Sequence, residues 1–123
     1  MSTPKTMSID GVDYIRADSV KNQKTNTDGL EYVIVRGDRS GVFAGFLAAG
    51  DNSKTVTLLE CRRLWYWSGA SSISQIAESG VSKPDKCKFP ASVSKAQITD
   101  VIEILYATQN AYESIKGVPV WKS

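Results

Sequence analysis

From Leu30 onward the chain alternates short apolar runs with clusters of polar and glycine residues. Tyr32-Val33-Ile34-Val35 is β-branched and aromatic and predicts a strand. Gly37-Asp38-Arg39-Ser40-Gly41 then predicts a turn, and Val42 to Leu47 a second strand. Within that strand Gly45 marks a bend or a close backbone approach. Gly50-Asp51-Asn52-Ser53 is a further turn, followed by a third strand from Thr55 to Leu59. Strands joined by turns this short pair antiparallel, because parallel neighbours need long crossovers. Glu60-Cys61-Arg62-Arg63 interrupts the alternation and predicts a bulge or bend, after which Leu64-Trp65-Tyr66-Trp67 resumes an extended course.

The second half changes period. Ser72 and Gln75 have capping-box spacing, Ile73, Ile76 and Ala77 form an apolar stripe, and Gly80 suits the end of a short helix. Residues 81–96 carry two prolines and several lysines and read as a surface loop. Gln97 to Tyr106 reads as the longest strand, apolar enough to be covered on both faces. Thr108 begins a second helix over Gln109 to Lys116 that stops at Gly117, and Val118-Pro119-Val120-Trp121 follows as a closing edge strand. The expectation is an α+β fold: a mostly antiparallel β-sheet, a meander drawn as a partly closed small barrel, with two short helices on one face or end.

Upstream the pattern weakens. Residues 1–6 read as a tail, Asp10-Gly11 as a type I′ hairpin turn, and 21–29 as an exposed loop without apolar members. The domain division is therefore 1–29 as tail, hairpin and loop, and 30–123 as a single globular domain. A length of 123 residues, 41% hydrophobic and 23% charged, fits one ordinary core.

Charge and composition exclude more than they assign. Fifteen basic and 13 acidic residues leave a formal charge of +2, too little for a general nucleic-acid binder. The sequence has no histidine, so the usual general base and the commonest zinc ligand are missing. Phosphate-loop, dinucleotide and nucleophile-elbow motifs are absent too, and the expectation is a protein that is not an enzyme and uses no cofactor or metal. Cys61 and Cys87 are read as reduced thiols, and no apolar run reaches membrane-spanning length.

The informative stretch is Arg62-Arg63-Leu64-Trp65-Tyr66-Trp67-Ser68-Gly69. Extended geometry would place Arg63, Trp65 and Trp67 on one face and Arg62, Leu64 and Tyr66 on the other. A guanidinium with two indoles has the composition of a stacking platform with an anion clamp; tryptophans filling a small core are the plainer alternative. Ser71 and Ser72 at the helix start could hold a phosphate or simply cap the helix. Lys83, Lys86 and Lys88 could close over an anion or form a solvated loop. The candidate ligand-binding residues are Arg62, Arg63, Trp65, Trp67, Ser71, Ser72 and Lys88.

From Gly41-Val42-Phe43-Ala44-Gly45-Phe46 through Arg62 to Ala70, the chain resembles a family of small uncharacterised proteins of tailed bacteriophages and prophages. Ser74-Gln75-Ile76-Ala77, Cys87-Lys88-Phe89-Pro90 and Val118-Pro119-Val120-Trp121 carry the same likeness. The resemblance implies a phage origin and a place in the cytoplasm of the bacterial host, and it brings no catalytic residues. By analogy with phage proteins that sequester nucleotide signals, it directs attention to anti-defence binding of a nucleotide-like small molecule by a homo-oligomer. A host or phage protein bound through the same aromatic residues is the alternative.

Overall fold

Five strands and two helices form in the order β1 (Tyr32–Gly37), β2 (Val42–Asn52), β3 (Thr55–Arg63), α1 (Ile73–Ser79), β4 (Val93–Ile98), β5 (Val101–Tyr106) and α2 (Gln109–Gly117). A computed structural model describes residues 24–26, 28–52 and 54–122, so the Asp10-Gly11 hairpin lies outside the described residues. All pairings are antiparallel, in the order β4-β3-β2-β1-β5. The α+β class and the meander are as expected.

The bulge is where the broken alternation places it. Ala44 pairs with Arg62 and Phe46 with Leu59, so Gly45 faces both Glu60 and Cys61. Glu60 adopts φ 51, and a Cβ at position 45 would come within 3.0 Å of the Leu59 carbonyl oxygen. Glycine is therefore needed at 45 for the two backbones to approach.

Three readings change. β2 runs on to Asn52, through Gly50-Asp51-Asn52 read from the sequence as turn, pairing Gly50 with Val56 and Asn52 with Thr55. β4 begins at Val93, inside the stretch read as loop, because its side chains are mostly polar and exposed in the manner of an edge strand. The single long strand over 97–106 is broken at Thr99-Asp100, and its halves lie on opposite edges of the sheet. Ile98 pairs with Val56 of β3, whereas Val101 pairs with Gly37 of β1. In a flat sheet those edges would lie about 19 Å apart. The three peptide steps from Ile98 to Val101 reach at most about 11 Å. The sheet must therefore coil until opposite corners meet. The Val101 amide seals the corner by donating to the Lys54 carbonyl at 2.9 Å. No ladder joins β4 to β5, so the sheet is coiled but open and does not close into the barrel pictured from the sequence.

Coiling buries both faces. Inside the coil, Val33, Val35, Phe43, Val56, Leu58, Cys61, Ile98 and Val101 make one core. Burial there pushes the Cys61 thiol up to about 11, against the opposing charge of Arg63. On the other face α1 and α2 pack over Tyr32, Ile34, Ala44, Phe46 and Phe89.

Both helices are capped at their expected residues, Ser72 and Thr108. The Thr108 hydroxyl also donates to the Glu78 carbonyl at 2.7 Å, tying the start of α2 to the end of α1. α2 ends one residue later than expected, with Gly117 inside it and Val118 as its C-cap. The ordered body also reaches back to Lys24, whose amide donates to the Ala107 carbonyl and whose carbonyl accepts from the Tyr32 amide.

Candidate functional site

The ladder of β3 ends at Arg63, and the inward–outward alternation runs on to Trp65 before the exposed Tyr66 breaks it. Arg62 and Leu64 turn inward and are 7% and 2% exposed. Arg62 Nε donates to the Pro90 carbonyl at 2.9 Å, Nη1 to Ile115 at 2.8 Å, and Nη2 to Phe89 at 3.0 Å and Val118 at 2.8 Å. Ile115 and Val118 lie at the C-terminus of α2, where carbonyls lack helical partners and the helix dipole favours a cation. Arg62 thus staples β3 to α2 and to the 89–90 segment. Burial lowers its pKa, but a guanidinium keeps its charge. As a phosphate clamp on the surface, the role read from the sequence, it is not available.

Arg63 points outward. Its Nη1 donates to the Ser40 carbonyl at 2.6 Å, and its guanidinium carbon lies 4.5 Å from the Phe43 ring centroid. Trp65 is 64% exposed, whereas Trp67 is half-buried and packs against the helix-side core. The platform of Arg63, Trp65 and Trp67 on one strand face does not form, because the alternation breaks at Tyr66 and Trp67 turns to the helix-side core.

A different surface assembles instead. Tyr66 and Lys88 pair through their backbones: the Lys88 amide donates to the Tyr66 carbonyl at 2.8 Å, and the Tyr66 amide returns the bond at 3.3 Å. Phe89 bridges Val120, and the Trp121 amide donates to the Phe89 carbonyl at 3.0 Å. The closing edge strand expected over 118–121 is thus reduced to this isolated bridge. Three short segments lie side by side, with Phe89 buried beneath them. Above it the Lys88 ammonium sits 5.7 Å from the Tyr66 ring centroid and 5.6 Å from that of Trp121. Tyr66 and Val120 are about half exposed. Trp121 was not among the residues singled out; its partnership with Lys88 is a long-range contact that no local spacing announces.

The helix start is occupied by its own capping. Ser72 Oγ accepts from the Gln75 amide, and both the amide and the hydroxyl of Ser71 donate to Gln75 Oε1, at 2.9 and 2.8 Å. The Gly69 carbonyl accepts from the Ser82 amide and hydroxyl, closing the loop against residue 82. Lys83 and Lys86 flank an exposed 3₁₀ turn. The Cys87 thiol is buried and unbridged, and reaches the Ser68 and Lys83 carbonyls. Of the sequence candidates, only Trp65 and Lys88 reach the surface beside Tyr66 and Trp121.

Residues 30–115 match a family model described as a domain of unknown function, DUF6948. No curated protein and no solved structure matches the chain.

Proposed function

The chain belongs to the DUF6948 family, and from its surface we propose a non-catalytic binding module for a planar, negatively charged ligand of the nucleotide type. The supporting observation is the Lys88 ammonium held over the Tyr66 and Trp121 rings, next to a largely exposed Trp65. Aromatic faces take a base by stacking, worth about 1–3 kcal/mol each. The lysine offers a point charge for phosphate. Ser71 and Ser72 are already spent on capping, so the contacts narrow to Trp65, Tyr66, Lys88 and Trp121.

The biological setting in this proposal rests on the resemblance to phage proteins. The module acts in the cytoplasm of the bacterial host, as a homo-oligomer, and counters antiviral defence by sequestering a nucleotide signal. Among the described residues no helix is long and apolar enough to cross a membrane.

Calorimetry against cyclic nucleotides and ADP-ribose derivatives tests the reading. Binding that quenches tryptophan fluorescence and disappears in Trp65→Ala and Lys88→Gln is expected. No heat and no quenching at large molar excess, with the protein folded, would sink it. The second reading, a protein partner on the same surface, is favoured by the half-exposed Val120 that bridges Phe89 next to Lys88, since apolar and aromatic anchors dominate protein interfaces. A partner retained from phage-infected cells by the wild type and lost by Trp65→Ala would replace the nucleotide reading.

A further inference from the structure

A second concavity lies between the bulge of β3 and the last turn of α2, with Val120 on its rim shared with the aromatic surface. It encloses about 300 Å³, at the small end of the range for ligand pockets. Tyr32, Glu60, Arg62, Ser92, Tyr112 and Lys116 supply its polar wall.

Two of these groups are buried with unmet demands. A guanidinium has five N–H donors. Four of Arg62's go to the carbonyls of Pro90, Ile115, Phe89 and Val118, and one on Nη1 remains. All four acceptors are neutral, so a cation that is only 7% exposed has no counter-ion within bonding distance among the described residues. Glu60, the carboxylate on the wall, makes no ion pair with it.

Tyr32 is the second. It is 4% exposed, its ring held edge-on against Phe46 and Tyr112 at 5.0 and 4.8 Å. Its hydroxyl has no hydrogen-bond partner among the described residues. Burial pushes this phenol far above its usual pKa while the Arg62 charge pulls the other way. It therefore remains a neutral donor. A buried hydroxyl left without an acceptor is costly.

Lys116 adds a third donor group. Its ammonium lies 5.7 Å from the Tyr112 ring centroid, and Lys24 lies 4.5 Å from the same ring, where the concavity continues past Glu60. The wall of the cavity itself carries two cations, Arg62 and Lys116, against the one carboxylate of Glu60. Buried positive charge with unused donors calls for oxygen acceptors that carry negative charge.

We infer that this cavity binds a small oxyanion, a phosphate or carboxylate group, that accepts from the Tyr32 hydroxyl, from the remaining Nη1 proton of Arg62 and from Lys116. Its ligating groups are none of those of the aromatic surface, so it stands or falls separately from the function proposed above.

An NMR titration with inorganic phosphate, the ionic strength held constant with chloride, tests it. Saturable shifts of the Arg62 Nε–H and of the Tyr32 and Lys116 amides are expected, with Trp65→Ala titrating like the wild type. Binding should weaken about tenfold or more in Tyr32→Phe and in Lys116→Gln. Tyr32→Phe should melt no lower than the wild type in phosphate-free buffer, since its hydroxyl has no internal partner.

Acetate and a nucleoside monophosphate are parallel arms. Tighter binding of the monophosphate, with added shifts at Tyr112, would identify the anion as one end of a larger molecule; tighter acetate binding would identify it as a carboxylate. Three results would overturn the inference. They are no saturable shift with any of the three anions, undiminished affinity in Tyr32→Phe, and a lower melting temperature of that variant without phosphate.

Discussion

On one face of the sheet, inside the coil, the core is made by strands alone and contains no charge. Val33 and Val35 of β1, Phe43 of β2, and Val56 and Leu58 of β3 meet there, and Ile98 and Val101 close it from the two edges. On the other face, where helices and connecting segments meet the sheet, the core holds Tyr32 and lies against Arg62 and half-buried Tyr112. The difference follows from backbone chemistry. Ladder amides and carbonyls satisfy one another, so the coil needs no side-chain donors. The end of α2 and the 89–90 segment leave carbonyls that the ladder cannot serve, and Arg62 is the group that serves them. Polar chemistry collects where regular structure stops.

The sharpest way to break this comparison is Arg62→Leu. It takes a donor from four carbonyls, of which those of Phe89 and Ile115 keep the Trp121 and Val118 amides, and a loss of about 2–5 kcal/mol in urea unfolding is expected. A loss below about 1 kcal/mol would mean that water replaces the guanidinium and that the two cores are not different in kind.

Leu58→Ala probes the dry core. Its side chain is completely buried, and truncation should cost about 2–4 kcal/mol, with the cavity it leaves too apolar to fill with water.

Asp100 probes the corner where the coil meets. Its Oδ2 accepts from the Arg39 and Ser40 amides at 2.7 and 2.9 Å, and its Oδ1 from the Ser40 hydroxyl at 2.6 Å. These bonds, the Ser40 hydroxyl first, hold its pKa below the ordinary carboxylate value. A folded pKa below the unfolded one means that the unfolded chain binds protons first on acidification. The stability Asp100 contributes is therefore complete above about pH 4 and is lost as the pH falls through its depressed native pKa. Asp100→Asn should lower the urea midpoint at pH 7, and the gap to the wild type should narrow below pH 4. A gap that is constant with pH would remove the carboxylate's charge from the account.

Arg63→Ala is the smallest change. It gives up a stack on Phe43 and one bond to Ser40 at an exposed site, about 0.5–1 kcal/mol. Measured beside Arg62→Leu, it sets two adjacent arginines against each other, one serving the interior and one the surface.

Much of the fold was legible because it is local. Strands β1 to β3, the bulge at Glu60 and both helix caps follow from propensity, broken alternation and capping spacing within a few residues. β4 was not legible, because Ser94, Lys95 and Gln97 give an exposed edge strand the composition of a loop. The break at Thr99-Asp100 was hidden for another reason: only pairing with β3 on one side and β1 on the other distinguishes the two halves.

The candidate site divides along the same line. Trp65 and Lys88 could be nominated from composition. Two-residue alternation could not separate Trp65 from Trp67, since it breaks at Tyr66, between them. Trp121 over Lys88, and the carbonyls awaiting Arg62, depend on segments far apart in the chain.

The run from Val93 to Tyr106, which supplies both edges of the sheet, also fixes the order in which the molecule can be completed. A ribosome delivers β1, β2 and β3 first, as a three-stranded ribbon with both flanks unpaired. Neither flank can be covered until residues 93–106 have emerged, and then both are covered almost together. Until that moment the nascent chain presents two open templates to any neighbouring strand. The interval before the last strands appear is thus the one in which this protein most depends on a chaperone or a dilute surrounding.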